Sequence, residues 1–167
     1  MIRSIPIVVA IALLSVSCSP KRVVFMHQSA RVNYLITPEE IKDMQFYLGR
    51  DMLLNEVPGD GALLVKQGTP GVANAVGPDW IRVVFEEGGV GVPFVAISPS
   101  GIGTPYAIAT ELPDGGLQPL RARNDENLQV GDRTFRVIYG SDALLLVRRK
   151  DLEKVEDSRI SVKGVKQ

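Results

Sequence analysis

The chain is poor in the residue types that most often carry chemistry: among 167 residues there is one Cys, one His and one Trp. A single thiol cannot form an intrachain disulfide, and one Cys with one His cannot supply the usual zinc ligand set. Charge of one sign is also missing, because nineteen Lys+Arg balance nineteen Asp+Glu. That balance removes the general positive excess of a nucleic-acid binder. Long hydrophobic runs are absent too. The N-terminal run, 5–14, is interrupted by Pro6 and falls well short of the ~20 residues that cross a bilayer as a helix. What is present is 45% hydrophobic residues with 16 Gly and 11 Pro. This content excludes a disordered polymer and a coiled coil, and the length fits one domain.

The first residues read as an export signal. Met1-Ile2-Arg3-Ser4 is a short n-region with one basic side chain, 5–14 is the apolar h-region, and Ser15-Val16-Ser17-Cys18 supplies small residues before the only cysteine. Leu14-Ser15-Val16-Ser17-Cys18 resembles the lipobox of bacterial lipoproteins, with Ser15 standing where that family prefers Leu. The resemblance implies a diacylglycerol joined to the Cys18 thiol, cleavage just before Cys18, and acylation of the new amino group. No other cofactor is implied. Ser19 follows where many inner-membrane lipoproteins carry Asp, which implies the outer membrane rather than the inner. Two alternatives stay open: an ordinary secretory signal, since Ser15 and Ser17 satisfy its small-x-small rule, and an uncleaved anchor.

Beyond the signal (1–17) the expected organisation is a lipidated N-terminus and tether with a possible first strand at 23–26 (18–36), a helix and β-rich domain (37–149), and a charged segment (150–167) that begins as a short helix and continues as a mobile tail. Thr37, Pro38 and Glu40 form a complete helix start, with a capping residue, Pro at the first position and the capping-box carboxylate. Ile41, Met44 and Leu48 then fall at i, i+3 and i+7, and Gly49 ends the segment, so one helix over 37–48 is expected. Phe46 and Tyr47 would widen its apolar surface and are candidate partner contacts. After Gly49, strands are expected at 52–57, 62–67, 80–86, 92–97, 106–111, 117–121, 133–139 and 143–148, divided by Gly, Pro, Asn and Asp turns. The fold class is therefore mainly β, an antiparallel small barrel or sandwich with one short helix near the mature N-terminus. The 37–48 segment and the β pattern are similar to bacterial envelope lipoproteins in which a short helix precedes a β domain.

Several motifs imitate active sites without their context. Gly88-Gly89-Val90-Gly91 and Gly101-Ile102-Gly103 lack a following helix and a Walker lysine. Glu86 and Glu87 are strand neighbours that point to opposite faces. Asn124-Asp125-Glu126-Asn127 lacks calcium-loop spacing, and Ser98, Ser100 and Ser141 lie outside any nucleophile-elbow pattern, with His27 as the only histidine base. No catalytic residue and no metal ligand is assigned.

Basic residues concentrate late in the chain at Arg121, Arg123, Arg133, Arg136, Arg148, Arg149 and Lys150. In a hairpin of 133–139 with 143–148, Phe135, Val137 and Tyr139 would face one side and Arg136 the other. Arg121, Arg123, Arg136, Arg148 and Arg149 are candidate contacts for an anionic partner. The functional expectation is a lipid-anchored envelope protein that binds or scaffolds without catalysis, held by the membrane and an envelope protein partner, with no nucleic acid. A carboxylate-dependent hydrolase of envelope polymers and a carrier of a small apolar ligand are the alternatives.

Overall fold

A computed structural model describes residues 22–87, 89–97, 103–120 and 126–163. The chain runs β1 (Val23–Phe25), α1 (Gln28–Asn33), α2 (Pro38–Lys42), β2 (Gln45–Leu48), β3 (Met52–Glu56), β4 (Ala62–Val65), β5 (Pro70–Val76) and β6 (Trp80–Val84). It continues through β7 (Gly91–Ala96), β8 (Tyr106–Glu111), β9 (Leu117–Pro119), β10 (Asn127–Val130), β11 (Arg133–Tyr139), β12 (Leu145–Arg148) and α3 (Arg149–Lys163). One sheet has the order β1-β12-β2-β5-β6-β7-β8-β9 and the other β10-β11-β3-β4. Every strand pairing is antiparallel.

Period-two alternation explains the half-buried strands. On β6, Ile81 and Val83 are fully buried while Trp80, Arg82 and Val84 are not. On β11, Phe135 and Val137 turn inward and Arg136 outward. β7 is buried along its whole length, as a central strand covered on both faces must be. Pro93 cannot donate to a ladder, and the pairing of β7 with β8 involves only Phe94, Val95 and Ala96. One apolar core joins the two sheets and α2, with Tyr106, Phe46, Phe94 and Met26 among its fully buried side chains. β10 is tied to β8 by Gln129 N donating to Thr110 Oγ1 at 2.9 Å and Gly131 N donating to the Glu111 carboxylate at 2.7 Å.

The larger sheet curls without closing. Isolated bridges join Ala107 to Leu144 and His27 to Pro105, bringing the start of β8 against the start of β12. No continuous ladder joins those strands among the described residues.

The expected helix over 37–48 requires correction. Its start is as read: Thr37 Oγ1 accepts from Glu40 N at 3.2 Å, and Glu40 Oε2 accepts from Thr37 N at 2.9 Å. The helix nevertheless ends at Lys42, and Gln45–Leu48 is strand β2 between β12 and β5. Ile41, Met44 and Leu48 are all buried, as their spacing demanded, but Met44, Phe46 and Leu48 also alternate with a period of two. Strand pairing selected the second period, since both neighbouring strands offer backbone partners along this segment.

The expected hairpin of 133–139 with 143–148 does not form either. β11 lies in the smaller sheet and β12 in the larger. Gly140 lets the chain change sheets. Its φ is +86°, and a Cβ there would stand 2.3 Å from the Asp51 carbonyl oxygen. A register shift between Val137 and Tyr139 leaves Tyr139 exposed instead of aligned with Phe135 and Val137.

Each of the other expected strand segments contains a strand. Among the described residues there are three helices where one near the mature N-terminus and a short one after 149 were expected, and α3 covers fourteen residues of the segment taken as a short helix with a mobile tail. The sequence reading missed α1, β5 and β10. Gly71 and Asn74 obscure β5, where a Cβ on Gly71 would meet Phe85 and Val83 at 2.7 Å.

A strand and a helix at 45–48 predict different costs for one substitution. Phe46→Ala should destabilise the folded chain by about 3–5 kcal/mol, as for a buried aromatic, measured by denaturant titration. An exposed helix position would change stability by no more than about 0.5 kcal/mol.

Candidate functional site

The N-terminal edge of the larger sheet opens into an apolar groove of about 650 Å³. Val23, Val24 and Phe25 of β1, Leu146 of β12, Ala30 and Tyr34 at α1 and Leu152 of α3 line it, with His27, Gly49 and Gln67. Phe25 stands opposite Leu146, and Leu146 opposite Tyr47, so these side chains share one sheet face. Tyr47 is 3% exposed and Phe25 47%, so that face opens toward the β1 edge. Among the described residues the lining contains no carboxylate.

Four contacts fix the helical wall of this groove. Gln28 N donates to the Thr104 carbonyl at 3.3 Å. Inside, the Tyr106 hydroxyl donates to Gln28 Oε1 and accepts from Arg31 Nη1 at 3.4 Å, while Gln28 Nε2 donates to the Pro78 carbonyl at 3.1 Å. Gln28 and Arg31 are each 8% exposed, and a buried polar group is tolerated only when such partners satisfy it. Burial pushes the Tyr106 hydroxyl above its ordinary 10.0, with Arg31 pulling partly in the opposite direction. The imidazole of His27 meets Phe25 edge-on, with centroids 6.3 Å apart, and its buried Nδ1 has no hydrogen-bond partner among the described residues. Chemically, the groove offers largely apolar walls, a surface suited to covering hydrocarbon.

At another face of α3, a crevice of about 180 Å³ gathers Glu40, Asp43 and Asp151 with Lys154. Two of these carboxylates are committed to the fold. Glu40 receives Arg159 at 2.8 and 3.0 Å, and Asp151 receives Arg148 at 2.9 and 3.0 Å and Gln45 N at 3.1 Å. Arg159 also donates to the Leu35 carbonyl at 3.2 Å, clamping the α1–α2 turn where Leu35 has a φ of +51°. Among the described residues no group of three or more His, Cys, Asp or Glu side chains could hold a metal ion.

The residues singled out from the sequence do not converge. Cys18, Arg121 and Arg123 lie outside the described residues, as do Gly88, Ser98, Ser100, Gly101, Asn124 and Asp125. Phe46 and Tyr47, candidate partner contacts on the expected helix, are buried in β2 at 0% and 3%. They are core side chains, because both faces of β2 are covered. Arg136 is exposed on β11. Arg148 and Arg149 pair with Asp151 and Glu153 at the start of α3, and the hydrogen bonds from Arg148 to Asp151 raise its pKa further. Arg133 makes a bidentate pair with Glu56 at 2.8 Å, which holds that carboxyl below its usual range. Pairing on this scale removes much of the free positive charge that an anion would need.

Sequence reasoning missed the groove because its walls come from both ends of the chain. The available signal was the apolar strand at 23–26. No protein-family model matches the chain, and searches of curated proteins and of solved structures find no match.

Tyr106→Phe should cost about 1–3 kcal/mol by leaving Gln28 Oε1 without its buried donor. It should also alter the alkaline limb of stability. Because the folded-state pKa of Tyr106 is raised, its contribution is fully present below pH 10.0 and falls as pH rises toward the folded value. Urea titrations at neutral and alkaline pH should show a smaller alkaline loss in Tyr106→Phe than in the unsubstituted chain.

Proposed function

We propose that this chain is a bacterial envelope lipoprotein, lipid-anchored through Cys18, whose β domain binds or scaffolds a neighbouring envelope protein without catalysis. The observation that carries the reading is the position of the only cysteine, which ends a short export signal and precedes the start of β1 by four intervening residues. A single acyl chain gives marginal membrane residence, and the two or three of a mature lipoprotein hold it stably. No helix among the described residues is long and apolar enough to cross a membrane, so a lipid at Cys18 would supply the attachment in this reading. Ser19 in place of Asp favours the outer membrane.

Of the two β architectures expected, the sandwich is the better reading, with one core between an eight-stranded and a four-stranded sheet. A packed interior supports a binding surface over an internal ligand carrier. The structural engagement of Glu40 and Asp151 supports it over a hydrolase whose carboxylates must be free to exchange protons.

Cells fed a labelled fatty acid should mark the wild-type protein, and Cys18→Ala should lose the mark. Label retained in that variant overturns the assignment. Crosslinking in the native envelope should then recover one protein neighbour reproducibly, and the absence of any such product argues against scaffolding.

A further inference from the structure

The geometry points to a membrane-contacting face: the β1 edge and the apolar groove beside it lie against the surface of the bilayer that holds the anchor. This inference rests on lipidation of Cys18. Five Cα steps separate Cys18 from Val23, and a fully extended chain covers at most about 18 Å over that distance. A lipid at Cys18 therefore keeps β1, and no distant part of the domain, close to the headgroups.

The composition of that surface fits the location. Nine large hydrophobic side chains are exposed among the described residues, and two of them, Val23 and Phe25, lie on β1 and line the groove. In water such exposed side chains contribute little to folding, whereas at a lipid surface they gain an apolar environment. The groove carries the same character inward through Tyr34, Leu146 and Leu152. Arg22 and Lys66 are exposed beside groove-lining residues and can meet anionic headgroups, while the exposed Asp51, whose carboxylate accepts from Gln67 N at 2.6 Å, is an acidic group at the same rim. An amphipathic surface of this kind buries its apolar side chains about 5–10 Å into the headgroup and acyl boundary.

The test uses the full lipidated chain in vesicles of phosphatidylethanolamine and phosphatidylglycerol. The chain has one Trp, so Trp80→Phe combined with Phe25→Trp places the only indole at the proposed face. Trp80→Phe combined with Leu64→Trp places it on β4, an edge of the other sheet. Emission from the first variant should shift to the blue and be quenched by acyl-brominated lipids, while the second should stay unshifted and unquenched. In the unsubstituted lipidated protein, the amides of Val23, Val24 and Phe25 should exchange more slowly on vesicles than in detergent-free solution of the unlipidated chain. Water-like emission at position 25 overturns the proposal, as does a blue shift without bromolipid quenching, which would mean that a second copy or a protein partner covers the groove. Fatty-acid labelling of the same samples separates the two readings. Labelled protein with an unquenched Phe25→Trp indole defeats only the docking face, and unlabelled protein defeats the anchor and this face together.

Discussion

The backbone amide of Met26 donates to the Leu145 carbonyl at 2.9 Å, and its carbonyl accepts from Tyr106 N at 3.0 Å. One fully buried residue thus joins β12 to β8, strands separated in the sheet order by β2, β5, β6 and β7. The curl of the larger sheet and the position of α1 depend on this double contact. It also determines where the N-terminal segment enters the domain, because β1 immediately precedes Met26 and α1 begins two residues after it. Buried backbone groups must be paired, so the segment cannot leave this position without exposing donors and acceptors on both strands.

Polar side chains near that junction reinforce it. Gln28, Arg31 and Tyr106 satisfy one another inside the protein, and Arg159 reaches from α3 to Glu40 and to the Leu35 carbonyl. Asp151 joins the first turn of α3 to the backbone of β2. These groups would look chemically promising in isolation. Each has instead been placed between elements, where its hydrogen bonds hold α1, α2 and α3 against the sheets. The apolar groove is what remains open at the edge where those elements meet.

Charge follows the same logic. The arginines late in the sequence suggested one continuous basic face, but β11 and β12 belong to different sheets. Arg133 is directed to Glu56 on the neighbouring strand, and Arg148 and Arg149 reach acidic partners one turn along α3. For Arg133, Arg148 and Arg149, a cluster in sequence became separate local ion pairs in space.

Much of the β domain was legible without coordinates, because alternating apolar residues such as Ile81 and Val83, or Phe135 and Val137, identify half-buried strands, and turn residues separate them. The capping box of Thr37 and Glu40 was equally local and formed as its sequence required. Legibility failed where a local pattern allowed two periods. Met44, Phe46 and Leu48 had to be buried, but only the presence of β5 and β12 decided that they would be buried from a strand. It failed again at the groove, since Phe25, Tyr34, Leu146 and Leu152 are distant in sequence and meet only after the sheet has curled. The sequence by itself determined the predominance of strands and the burial of residues such as Ile81 and Phe135, which follow from hydrophobicity and spacing over short distances. Tertiary structure alone decided strand partners, the fate of each charge and the location of the open apolar surface, because these depend on hydrogen bonds and contacts between segments that no local pattern specifies.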